Sequence, residues 1–157
     1  WPSPTKFQAV AIPCIIQACR NNPDSKSYTL LQAAAGLGKT SAIALGMLAS
    51  VSQREVSSPQ FIVVALDACE DVERYMNALG CLCSLKVAYF KTKTAENLDA
   101  DVALAQGAQI IVGHPEHISQ VLQAAQGRIN LEAVEVMLMD DASELIGEGW
   151  VQKVCEI

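Results

Sequence analysis

The chain has 157 residues, 51% of them apolar, which suits one compact domain with a sizeable core and makes a second domain unexpected. A formal net charge of −6 argues against broad, non-specific affinity for nucleic acid, because that affinity comes from neutralising phosphates with Lys and Arg; any nucleic-acid site has to be a local patch. No apolar run approaches the roughly 18 residues needed to span a bilayer and no basic-then-apolar leader opens the chain, so neither membrane insertion nor secretion is expected, and a start at Trp1 reads as a piece cut from a longer protein.

Taken in chain order, apolar β-branched runs alternate with segments of helical period. Strands are predicted over residues 28–33, 61–66, 85–89, 109–112 and 134–139, and helices over 39–51, 69–79, 95–106, 115–126 and from 149 onward. This β-α-β rhythm predicts an α/β fold with a parallel sheet flanked by helices. Polar, Pro-bearing stretches at 21–26 and 52–60 read as surface loops, since the alternation resumes directly after each. There is no internal repeat and no low-complexity tract. The six cysteines, Cys14, Cys19, Cys69, Cys81, Cys83 and Cys155, show no C-x-x-C spacing, so reduced and mostly buried thiols are expected rather than a zinc site or a disulfide framework.

The most specific signal follows the first predicted strand. Ala33-Ala34-Ala35-Gly36-Leu37-Gly38-Lys39-Thr40 runs through two glycines into Lys-Thr and then into the helix-forming segment that begins at Ser41. Glycines let backbone N–H groups turn around phosphate oxygens and the helix start adds partial positive charge. Lys39 can reach outer phosphates, and the Thr40 hydroxyl can ligate Mg2+. A nucleotide's phosphates and Mg2+ are therefore the expected ligands. Near the other end, the apolar run Val136-Met137-Leu138-Met139 delivers Asp140 and Asp141 to a strand's carboxyl end, the edge at which an α/β sheet binds ligands.

The strict phosphate-loop pattern has Gly where this chain has Ala33, and A-x-x-G-x-G-K-T is the form the loop takes in DEAD-box RNA helicases (superfamily 2), which the sequence resembles. Ala35 replaces the family's Thr and Leu37 its small residue, changes that alter the loop's lining rather than remove phosphate ligands. The resemblance implies a RecA-like first core domain over residues 1–157. The family's S-A-T segment, its last strands and a second core domain are expected beyond Ile157.

The upstream segment from Trp1 to Pro13 looks like the family's Q motif; by that resemblance Gln8 would hydrogen-bond adenine and Trp1 or Thr5 would support the base. The implied nucleotide-binding set is Thr5, Gln8, Ala35, Gly36, Leu37, Gly38, Lys39, Thr40 and Ser41. Thr40 and Asp140 are implied to hold Mg2+, and Lys39, Asp140 and Asp141 to serve hydrolysis. Asp141 stands where the family has the Glu that activates the attacking water, and Ser143 where it has its final Asp, so weak hydrolysis and altered coupling to RNA are expected.

The family's RNA-contacting segments are all changed: Leu66-Asp67-Ala68-Cys69-Glu70, Tyr89-Phe90-Lys91-Thr92 and Gly113-His114-Pro115-Glu116-His117 lack the expected Arg or Gly-Gly. Lys91, Lys93 and His117 could still supply charge. His114 and His117 are expected to be polar surface residues, and 91–93 a solvated turn.

Two functions are thus open. One is the ATP-binding core domain of an RNA-dependent ATPase, a cytoplasmic enzyme or component of ribonucleoprotein granules whose partners are ATP, RNA and the second core domain. The other is a catalytically degenerate scaffold for RNA or protein partners, as in the tudor-domain helicase-like proteins of germline piRNA silencing. Helicases of other superfamilies lack the segment that precedes the loop here.

Overall fold

The computed structural model describes residues 3–20, 28–51, 58–66, 69–80 and 85–157. Four strands, β1 (Phe61–Val64), β2 (Val87–Phe90), β3 (Ile110–Gly113) and β4 (Val136–Met139), form an all-parallel sheet in the order β2-β3-β1-β4. Among the described residues seven α-helices accompany them: α1 (Lys6–Arg20), α2 (Lys39–Ser50), α3 (Cys69–Gly80), α4 (Leu98–Gln106), α5 (Pro115–Ala125), α6 (Ala142–Gly147) and α7 (Val151–Glu156). The predicted α/β class holds, and each observed strand lies within or one residue beyond its predicted span.

Successive strand residues point to opposite faces, so each strand feeds two cores. Phe61, Val63, Ile110 and Val112 join Ile15, Ile43, Ala44, Met47, Val72 and Met76 on the face of α1, α2 and α3. Ile62, Val64 and Ile111 join Val102, Ile118, Val121 and Leu145 on the face of α4 to α6. The two central strands are buried at every position. That is why β1 and β3 read as continuous apolar runs rather than as alternation.

The predicted strand over 28–33 is not in the sheet. These residues carry no strand assignment, although Leu31 still packs on the first core while Tyr28 and Leu30 are exposed. Together with β4 they line a groove of about 820 Å³. A β ladder needs backbone pairing, and among the described residues 28–33 are not paired with β4, the sheet's edge strand across the groove. The consequence on β4 is visible too. Its only ladder partner there is β1, and Met137 and Met139 are 37% and 50% exposed where the central strands are fully covered.

Local chemistry fixes several helix starts. The Asn97 side chain accepts from Ala100 N (3.2 Å) at the start of α4, and Pro115 occupies the first turn of α5, where its missing N–H costs nothing. Helix α1 was not among the predicted elements. Pro13 lies in its interior, which disrupts the pattern a sequence reading looks for. Helix α1 and α2 pack closely at Gly46, where a Cβ would come within 2.6 Å of Ile15 Cγ2.

Candidate nucleotide-binding site

Residues 35–38 turn into the start of α2, and the turn is made by Gly36 (φ 78°) and Gly38 (φ 83°), both in the left-handed region that side chains disfavour. Helix α2 starts with no side-chain cap and no acidic residue in its first turn, so none of its own residues neutralises the initial N–H groups and positive dipole end that face the loop. Parallel pairing of β4 with β1 carries the chain's other end to the same place: Asp140 follows β4 directly and its N–H donates to Val64 O (3.0 Å).

Four predicted residues meet here across a separation of 100 positions. Thr40 Oγ1 donates to Asp140 Oδ2 at 2.9 Å, and Lys39 Nζ lies 2.8 Å from Asp141 Oδ1. Asp140 is buried (3% exposed) and also accepts from Asp141 N at 3.1 Å. Burial pushes its carboxyl above the ordinary range and the Asp141 charge adds to this, while the hydrogen bonds from Thr40 and from the Asp141 backbone oppose the rise. The Lys39 ammonium is held above its usual value chiefly by its hydrogen bond to Asp141.

A hydroxyl and a carboxylate this close are two hard oxygen donors. They fit a Mg2+ ion, which typically takes one or two carboxylates and fills its remaining positions with water and phosphate oxygens. Among the described residues there is no cluster of three His, Cys, Asp or Glu that would suit a different metal.

Thr5 and Gln8 belong to the same site by a route the sequence reading missed. Thr5 N donates to Gln8 Oε1 (2.9 Å) and Gln8 N donates to Thr5 Oγ1 (3.2 Å), the reciprocal pair of a capping box at the start of α1. The same two side chains then hold the loop. Thr5 Oγ1 donates to Leu37 O (3.1 Å), and Gln8 Nε2 donates to Ser41 Oγ (2.8 Å) and Gly38 O (3.5 Å). Ser41 Oγ donates in turn to Gly38 O (3.0 Å). Gln8 is therefore buried, and a Cβ on Gly38 would collide with its amide. The signal was present as T-x-x-Q ahead of an apolar run. Ala35, Gly36 and Leu37 are exposed at the loop's tip, while Trp1 lies outside the described residues.

The expectation that His114 and His117 are surface residues is overturned: they are 3% and 5% exposed. His117 stacks on Phe90 with ring centroids 4.8 Å apart; its Nδ1 lies 3.0 Å from Thr92 O and its Nε2 3.0 Å from Asp101 Oδ2. His114 caps α5 by accepting from Glu116 N and meets the edge of Trp150. Both rings complete the core above α4 and α5 because β3 ends there and Gly113 leaves Phe90 close by. Burial lowers the His114 proton affinity below its ordinary value.

In the 91–93 turn, Lys91 pairs with Glu73 and Thr92 touches His117, so only part of it is simply solvated. Residues 67 and 68 of the first altered segment lie outside the described residues. Expected buried thiols are also only partly found: Cys14 and Cys19 are half-buried and Cys155 is exposed, all three unbridged.

The family model for "DEAD/DEAH box helicase" matches residues 5–157. The chain is 30% identical over 162 residues to the ATP-dependent RNA helicase DeaD of Mycobacterium tuberculosis, an alignment that covers 98% of this chain and 26% of that protein. Its fold is similar to that of a DEAD box protein from Methanococcus jannaschii (TM-score 0.78, 23% identity, 98% of this chain and 39% of that one). It is also similar to Dbp5 of S. cerevisiae bound to RNA and ADP BeF3 (TM-score 0.75, 21% identity, 98% and 37%). The chain thus spans between about a quarter and just over a third of the length of the curated relatives it matches.

Proposed function

Because the chain belongs to the DEAD/DEAH box helicase family, we propose that it is the ATP-binding first core domain of an RNA helicase, and that ATP is hydrolysed when RNA and a second core domain complete the site. The observation that carries this reading is the meeting of Lys39 and Thr40 with Asp141 and Asp140 at 2.8 and 2.9 Å.

The N–H groups of the loop and of α2's first turn cradle the phosphates, and Lys39 turns to the outermost of them. Thr40 and Asp140 would hold Mg2+, which supplies neutralising charge at the β- and γ-phosphates. Gln8 reads adenine by exchanging its long 3.5 Å contact with Gly38 O for the base while keeping its bond to Ser41. Asp141 orients the attacking water, with a carboxylate one methylene shorter than the family's Glu. Charge stabilisation from across the interdomain cleft completes the transition state, so the domain alone is a nucleotide binder rather than an ATPase.

Titration calorimetry with Mg2+-ATP, against Lys39→Ala, tests the site: saturable binding that is lost in the variant is expected. Absence of binding by the folded domain, and equally by a protein containing the second core domain, would refute the ATPase reading.

A second reading is favoured by one specific observation. The histidines of the third altered segment are buried and turned to Asp101, Thr92 and Trp150 rather than to solvent. A domain that has withdrawn these groups from the RNA side suits a scaffold with reduced catalysis, in which protein partners take over.

A further inference from the structure

An aspartate at the residue before a helix usually turns its carboxylate onto the helix's first N–H groups. Asp141 sits at that position ahead of α6 and makes no such bond. Its backbone is in the left-handed region (φ 47°, ψ 52°), one of only two non-glycine residues there among the described residues. The conformation carries its Oδ1 to 2.8 Å from Lys39 Nζ. The chain therefore aims a carboxylate, at a cost in backbone strain, at the cation through which the loop would grip an outer phosphate.

We infer that Asp141 is a built-in competitor for phosphate: its carboxylate occupies Lys39 and has to be displaced before a nucleotide's outer phosphate can bind, so the site gates itself. The inference rests on the proposed nucleotide site and adds a role for Asp141 that does not depend on hydrolysis. A carboxylate that only orients water at a γ-phosphate leaves the affinity for a diphosphate unchanged. A competitor for Lys39 weakens it.

The test uses ADP without Mg2+, so that Thr40 and Asp140 contribute no metal-dependent binding, with AMP as the ligand lacking an outer phosphate. Asp141→Asn and Asp141→Gly both remove the charge and both tolerate the left-handed backbone, which keeps α6 in place; circular dichroism checks that they fold. Glu144→Gln is the control, since Glu144 contributes charge at Lys39 without contacting it.

The Lys39 and Asp141 side chains are 27% and 42% exposed, and ion pairs this open are worth at most about 1 kcal/mol, so both Asp141 variants should bind ADP roughly two- to fivefold more tightly, a gain of about 0.4–1 kcal/mol. AMP affinity should stay the same, and Glu144→Gln should change ADP affinity by less than about 1.5-fold, as expected for a screened charge out of contact. Unchanged or weaker ADP binding by both Asp141 variants overturns the inference, as does an equal gain in Glu144→Gln. If neither the unaltered domain nor any variant binds ADP or Mg2+-ATP, the nucleotide reading itself fails. Binding by the unaltered domain without a gain in the variants removes only the gate.

Discussion

Replacing Gly38 by Ala tests whether α1 holds the phosphate loop. Two effects are expected to act together. Gly38 has φ 83°, and a side chain in the left-handed region costs about 1–2 kcal/mol. The new Cβ would also collide with the Gln8 amide, which can move only by giving up its buried bond to Ser41, a loss of about 0.5–1.5 kcal/mol with a further penalty for the unsatisfied donor.

Gly36→Ala supplies the comparison, because Gly36 has nearly the same φ (78°) and nothing within 4 Å of its would-be Cβ. The expected losses are therefore roughly 1–2 kcal/mol for Gly36→Ala and roughly 2–4 kcal/mol for Gly38→Ala. For a chain of 157 residues these correspond to Tm falls of roughly 2–8 °C and 5–15 °C. Urea unfolding followed by circular dichroism measures both. Repeating Gly38→Ala in a Gln8→Ala background closes the cycle, and there most of the excess over Gly36→Ala should vanish, leaving only the 3.0 Å approach to Ser41 Oγ. Equal losses for the two glycines, or an excess undiminished without Gln8, would show that α1 does not hold the loop.

His114 is buried with a lowered proton affinity, chiefly through desolvation. Its folded-state value lies below its unfolded 6.5, so its contribution is fully present above pH 6.5 and is lost as pH falls below it. Urea unfolding at pH 7.5 and 5.5 should show a smaller stability decrease in His114→Asn than in the unaltered domain, and an equal decrease contradicts the assignment. Asp101→Ala leaves the buried His117 Nε2 without its acceptor and should cost about 1–3 kcal/mol, read from the urea midpoint. In a protein containing the second core domain, Asp141→Glu should raise kcat for RNA-stimulated ATP hydrolysis by roughly 10- to 100-fold, since a misplacement on the order of 1 Å has that effect. No gain would show that Asp141 is not the water-orienting group.

Much of this architecture is legible because its determinants are local. Runs such as Phe61-Ile62-Val63-Val64 can hardly be anything but a buried parallel strand, and two glycines ahead of Lys39-Thr40 dictate an anion-binding turn into a helix. What escaped depended on partners far along the chain. Residues 28–33 read as a short apolar strand-like run, but pairing is a property of two segments, not one. His114 and His117 follow a strand in a polar-looking stretch, and only the packing of Phe90, Trp150 and Asp101 around them makes burial tolerable. Thr5 and Gln8 carried two signals at once: a helix cap, which was readable from spacing, and a clamp on the loop, which needed the 33-residue approach of Gln8 to Ser41.

The most direct test of the central claim, that Lys39, Thr40 and Asp140 form one nucleotide site, is residue-resolved amide NMR during addition of Mg2+-ATP. Shifts concentrated at residues 35–41 and at Asp140 and Asp141, absent in Lys39→Ala, are the expected result. No perturbation there, or changes confined to the surface around Thr92 and His117, would contradict it.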